Sequence, residues 1–118
     1  MTMSVLGPTN AMAAVEIDIF SGRPNPSWTV PDTDVNRWLA TLPTVPRPEP
    51  TAEALGYRGL IVQRGDDHIR VFNGAAIAPR FALADPARRF EAWLLSTGEK
   101  FADPKLLEWV RQSLHSLA

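Results

Sequence analysis

The sequence predicts an α+β fold: a small, mainly antiparallel sheet of three to four strands with about three helices packed on one face. Three observations carry this. Val15, Ile17 and Ile19 alternate with Glu16 and Asp18 at the period of two that sends successive side chains to opposite faces of a strand. Tyr57 to Arg64 and His68 to Asn73, rich in Ile, Val, Tyr and Phe, flank Gly65-Asp66-Asp67, which reads as a hairpin and makes those strands antiparallel neighbours. Asp85-Pro86 and Asp103-Pro104 each place a capping side chain before a proline, whose missing N–H is harmless in a helix's first turn.

In chain order, Met1 to Ala14 reads as a loose arm before a single domain over 15–118. The arm lacks the basic start and apolar core of a signal peptide, and Pro8, Thr9 and Asn10 interrupt any helix there. The first strand spans Ala14 to Phe20. After a proline-rich loop, Trp28-Thr29-Val30 adds an extended piece. Asp32 or Asp34 then caps a helix whose stripe is Val35, Trp38, Leu39 and Leu42, and Pro43 stops it. Prolines at 43, 46, 48 and 50 predict an extended surface connection. Thr51 to Leu55 reads as a brief helical turn ended by Gly56. Gly59 marks a bulge or a close approach by another group. If Ile69 and Val71 face the core, His68, Arg70 and Phe72 share the other face with Glu16 and Asp18. Asn73-Gly74 ends the hairpin, and one more short strand falls around Ile77 or around Phe81 and Leu83. Phe90, Trp93 and Leu94 make the buried stripe of the next helix, for which Gly98 is expected to supply the C-terminal left-handed residue, and Leu107, Val110, Leu114 and Leu117 make that of the last.

Composition narrows the chemistry. A net charge of −1 gives no general attraction to nucleic acid, and no apolar run approaches the ~20 residues that span a bilayer. With no cysteine, disulfides, thiolate metal sites and cysteine nucleophiles are excluded, and a reducing, cytoplasmic setting fits. No phosphate-binding loop, dinucleotide fingerprint or zinc-protease motif occurs, so no cofactor is expected. Of the two histidines, His115 sits in a helix's last turn, where it meets the dipole. His68 beside Asp66 and Asp67 is too thin a ligand set for a metal.

The most distinctive stretch is Phe20-Ser21-Gly22-Arg23-Pro24-Asn25-Pro26-Ser27-Trp28. Pro24 and Pro26 fix φ and push Arg23 and Asn25 towards extended conformations, so the loop is stiff and polar. Its Ser21, Arg23 and Asn25, with Trp28 beside it and Arg58 and Arg70 on neighbouring strands, are the candidate ligand-binding residues. Asp18 and His68 are the candidate proton carriers. The same residues also read structurally: Arg23 and Asn25 pinning the loop to backbone carbonyls, and Glu16 and Asp18 pairing with Arg58 and Arg70. Trp38, Trp93 and Trp109 read as core, and Trp28 as an anchor or a pocket wall.

That loop, with Leu55-Gly56-Tyr57-Arg58-Gly59 and Arg89-Phe90-Glu91-Ala92-Trp93-Leu94-Leu95, resembles a group of small uncharacterised bacterial proteins in which a strand ends in the same loop and a Gly-Tyr-Arg-Gly strand follows. The resemblance covers most of the chain from Val15 onwards. It implies that the loop matters and carries no catalytic or binding role with it.

Three functions stay open. The first is an accessory domain binding a small anionic molecule or a peptide segment through the loop and the polar sheet face. The second is a small cofactor-free isomerase, cyclase or hydrolase using Asp18 or His68 with Arg23 in support. The third is a structural subunit whose sheet face is a homodimer contact.

Overall fold

A computed structural model describes residues 11–19, 25–48 and 56–117, with side chains of the last helix described as far as Gln112. Alternation builds the sheet as the sequence implies. In β1 (Met12–Ile17), Ala13, Val15 and Ile17 are buried while Met12 and Ala14 are exposed. The same two-residue period places Trp28 and Val30 inward in β2 (Ser27–Pro31), Leu60 and Val62 in β3 (Leu60–Arg64), and Ile69 and Val71 in β4 (Asp67–Phe72). With β5 (Ala75–Ala78) and β6 (Phe81–Ala84) these form one antiparallel sheet of six strands in the order β2-β1-β3-β4-β5-β6.

The strand count exceeds the three to four expected, and the reason is local. Asn73 and Gly74 both take positive φ, 51° and 90°, and close a two-residue turn between paired Phe72 and Ala75. This is what an Asn-Gly pair does best in a hairpin, so it begins β5 rather than ending the sheet. A further turn at Pro79-Arg80 makes β6. β1 also starts earlier than expected, so residues 12–14 belong to the sheet and not to an arm. Gly59 precedes β3 with φ 103°, and a Cβ there would stand 2.6 Å from that of Phe72 and 2.8 Å from the Val71 carbonyl oxygen. Close approach, not a bulge, is why glycine occupies it.

Among the described residues three helices cover the inward face: α1 (Asp32–Thr41), α2 (Arg89–Ser96) and α3 (Pro104–Leu117). Val35, Phe90, Leu94, Leu95, Leu107 and Val110 enter one core with the inward strand residues. Each such side chain contributes roughly 1.5–3 kcal/mol on full burial. α1 has no side-chain cap. Asp32 turns instead to Arg64, whose Nε and Nη2 donate to its two oxygens at 2.5 and 3.0 Å. α3 starts as the Asp103-Pro104 pair dictates: the Lys105 N–H donates to Asp103 Oδ1 at 2.9 Å. At α2 the cap is displaced. Pro86–Arg88 forms a 3₁₀ turn, and the buried Asp85 carboxylate reaches beyond it to the N–H groups of Phe90 and Glu91, at 2.8 and 3.0 Å.

The extended connection after α1 seals the edge of β6. Thr44 bridges Leu83, the Val45 N–H donates to the Ala82 carbonyl at 3.0 Å, and Pro43 accepts from the Ala84 N–H at 2.9 Å. Arg47 Nη2 then donates to the carbonyls of Ala78 and Pro79. The expected helical turn over 51–55 lies outside the described residues, as do the side chains of Leu114, His115 and Leu117.

Candidate functional site

Two places gather chemistry-bearing side chains, and the first is the end of β1. The chain leaves the sheet through paired backbone bonds, Asp18 N–H to Gly59 and Arg58 N–H to Asp18. These bring the Asp18 side chain between two guanidiniums. Arg58 Nη2 donates to Oδ1 at 3.0 Å and Arg70 Nη1 to Oδ2 at 2.7 Å, while Arg70 Nη1 also reaches the Arg58 carbonyl. Burial alone would raise the Asp18 carboxyl, but the bonds and charges of Arg70 and Arg58 outweigh it and hold it below the ordinary carboxylate value.

Asn25 is committed in the same way. Its Oδ1 accepts from the Ile19 N–H at 3.1 Å and its Nδ2 donates to Glu16 Oε2 at 2.7 Å. The amide thus ties the end of the loop to β1, through a backbone N–H and the Glu16 carboxylate and not through the backbone carbonyls expected. Ser21 and Arg23 lie outside the described residues. Trp28 is an anchor and not a pocket wall: it is buried, its Nε1 donates to Thr97 Oγ1 at 2.7 Å, and Gly98 lies so close that a Cβ there would be 2.5 Å from the indole.

His68 does not join this group. It is exposed and level with Gln63 and Ala14, four residues along the sheet from Asp18, which is ~13 Å at the rise of a strand. Asp18 and His68 are therefore not a proton-transfer pair. Among the described residues no group of three or more His, Asp or Glu is placed to hold a metal ion.

The second place was not legible as a site. Trp38 and Trp93 were expected in the core, yet both are half-buried, because they lie at the seam where α1 and α2 meet rather than beneath the sheet. Trp38 stacks on Phe90 at 5.5 Å between ring centroids and stands 5.9 Å from Trp93. Asp34, Arg37 and Thr41 complete an open cleft of about 410 Å³ over these rings. A second cleft of about 390 Å³ continues past Trp93 and Asp34 to the edge strand β2 and to Lys100 and Phe101. Phe101 is 64% exposed, and Trp109, also expected in the core, is 46% exposed. The signal available in the sequence was an aromatic residue on each of two consecutive helices with charged residues one turn away.

A buried polar network was also missed. Glu91 is fully buried and forked by Arg88, with Nε to Oε1 at 2.9 Å and Nη2 to Oε2 at 2.7 Å. The Tyr57 hydroxyl donates to Oε2 at 2.5 Å and the Asn73 N–H to Oε1 at 3.0 Å. Burial, then the charge and bond of Glu91, push the Tyr57 hydroxyl far above its ordinary value, so it stays protonated and donating. All three side chains are enclosed, so the network holds the α2 start to the sheet rather than meeting a ligand.

Compared with known proteins, the chain matches no family model, no curated protein and no solved structure. No helix among the described residues is long and apolar enough to cross a membrane.

Proposed function

We propose that the chain is a non-catalytic binding domain that takes a peptide segment bearing aromatic or proline rings in the cleft between α1 and α2. One observation carries this reading: Trp93 is the common floor of two adjoining open clefts that run from Thr41 to Phe101. A long groove with half-buried indoles on its floor, exposed Phe101 at one end and charges of both signs on its rim suits an extended chain with occasional ring side chains. The end of β1 supports binding less well than its sequence suggested, because Asn25 is spent on the chain itself and Asp18 on its two arginines. The enzyme alternative loses support for the same reasons: Asp18 is a weakened base, and His68 is out of reach.

The test is selection from a displayed random peptide library, followed by titration of a selected peptide into the labelled protein. Indole N–H signals of Trp38 and Trp93 should shift while that of buried Trp28 stays put. Phe101→Ala, at a position 64% exposed, should weaken binding at least several-fold without altering the fold. Selected peptides that bind the Phe101→Ala and Arg37→Glu variants as tightly as the original chain would place the site elsewhere.

A further inference from the structure

The sheet's outward face carries a charge pattern that is its own complement, and from it we infer that two copies of this chain pair face to face about an axis along β3. The register sets Ser27, Glu16, Ile61, Arg70, Ile77 and Ala82 side by side on one rung across all six strands. Ser27, Glu16, Ile61, Arg70 and Ile77 alternate with the core positions, so they lie on the face opposite to the described helices, while Ala82 at the far end of the rung is buried. Ile61 and Ile77 are half-buried, and Arg70 between them is exposed.

Glu16 and Arg70 flank Ile61 at equal distances, one strand to either side. A two-fold axis running along β3 carries each strand to the mirror position on the other side of β3. Ile61 then meets its own copy, Glu16 of each chain meets Arg70 of the other, and the contact occurs twice by symmetry. No other axis parallel to the strands brings these opposite charges together twice. On the neighbouring rung the same operation sets Ala14 against the partner copy's His68 and Gln63 against its own copy. Both charged groups stand where a partner can reach them: Glu16 is half-buried and holds Asn25 through Oε2, and the two bonds of Arg70 to Asp18 and the Arg58 carbonyl both run through Nη1, with 47% of its side chain exposed. The small side chains at Ala14, Ala75, Ala82 and Ala84 leave the face flat enough for the ~10 Å approach of stacked sheets.

Five strands overlap in this arrangement. At ~4.8 Å between strands and about five residues of ~3.4 Å each, the shared patch is roughly 400 Å² of flat area. That is about half of the ~800 Å² per partner that standard stable complexes bury. A patch of this size suits a weak, reversible dimer that fills only at high concentration. It uses the face opposite to the helices and does not depend on the peptide cleft.

Analytical ultracentrifugation from a few micromolar to a few hundred micromolar tests the pairing. The natural chain should move from monomer to dimer across that range. Glu16→Arg sets Arg against Arg, and Arg70→Glu sets Glu against Glu, so each alone should raise the dissociation constant at least ten-fold. An equimolar mixture of the two variants restores both contacts and should dimerise again, which two poorly folded proteins would not do. Because the chain has no cysteine, Ile61→Cys gives a single thiol at the axis, and a short bis-maleimide should link two copies. A chain that stays monomeric at several hundred micromolar, or a mixture no better than either variant, overturns the proposal. So does a dimer that neither charge reversal weakens.

Discussion

Arg88 and Glu91, one helical turn apart, meet inside the protein in a two-bond fork, and Arg88 reaches it from a left-handed backbone conformation with φ 56°. The guanidinium also lies 5.5 Å from the centre of the Phe72 ring. A carboxylate with no exposure survives there because each oxygen accepts two bonds. Glu91→Ala removes the acceptor and leaves a buried cation, so chemical denaturation should show a loss of about 3–5 kcal/mol. Tyr57→Phe deletes one donor and should cost about 1–3 kcal/mol.

Ala87 shares the left-handed conformation, with φ 57° and ψ 18°. An L-residue pays roughly 1–2 kcal/mol to sit there, and glycine returns part of that through a more flexible unfolded chain. Ala87→Gly should therefore stabilise the protein by about 0.5 kcal/mol, read as a raised denaturation midpoint with an unchanged slope. Arg88→Gly, at the same kind of backbone position, should do the opposite, because the fork on Glu91 goes with the side chain.

Asp18 ties stability to acid. Folding lowers its carboxyl below the unfolded value of 3.8, so the stability lent by Arg58 and Arg70 is fully present above that value. It is lost as pH falls through the lowered folded value. Asp32, lowered by its bonds with Arg64, has the same sign. Asp18→Asn should cost about 1–3 kcal/mol at neutral pH and flatten the fall in stability between about pH 5 and pH 2. Denaturation followed across that range checks both.

Gly98 has an ordinary backbone angle, so only space forbids a side chain. Gly98→Ala drives a methyl group into the Trp28 indole, which is itself held by Thr97. The expected loss is about 1–3 kcal/mol, with a shifted Trp28 indole N–H signal as the local marker.

The elements that rest on strong local rules were legible in the sequence. β1 declared itself by alternation, α3 by Asp103-Pro104, and the β3–β4 hairpin by its glycine turn. β5 and β6 were compressed into one strand because Ala-Ala-Ile-Ala and Phe-Ala-Leu-Ala carry little β-propensity, leaving Asn73-Gly74 as the sole indicator of a further hairpin. The opposition of Glu16 and Asp18 to Arg70 followed from counting along strands. What Asp18 would do with two arginines, and that Asn25 would turn inward, depended on distances that no one-dimensional pattern encodes. The Glu91 fork was hidden for a related reason: an Arg and a Glu three residues apart usually mark a wet helix face, and only the surrounding core makes them otherwise. Trp38 and Trp93 fell on apolar stripes, but a stripe does not say how deep a helix seam closes.

The segment from Pro43 to Val45 makes the two ends of the sheet unequal. One margin is stitched by a strip whose Pro43 has no hydrogen to offer a newcomer, while at the other margin β2 is the outermost strand among the described residues. A ribbon with a single open side can be lengthened by one visitor but cannot be copied end to end. Whatever docks along β2, the growth of fibres by edge-to-edge stacking stops after the first addition.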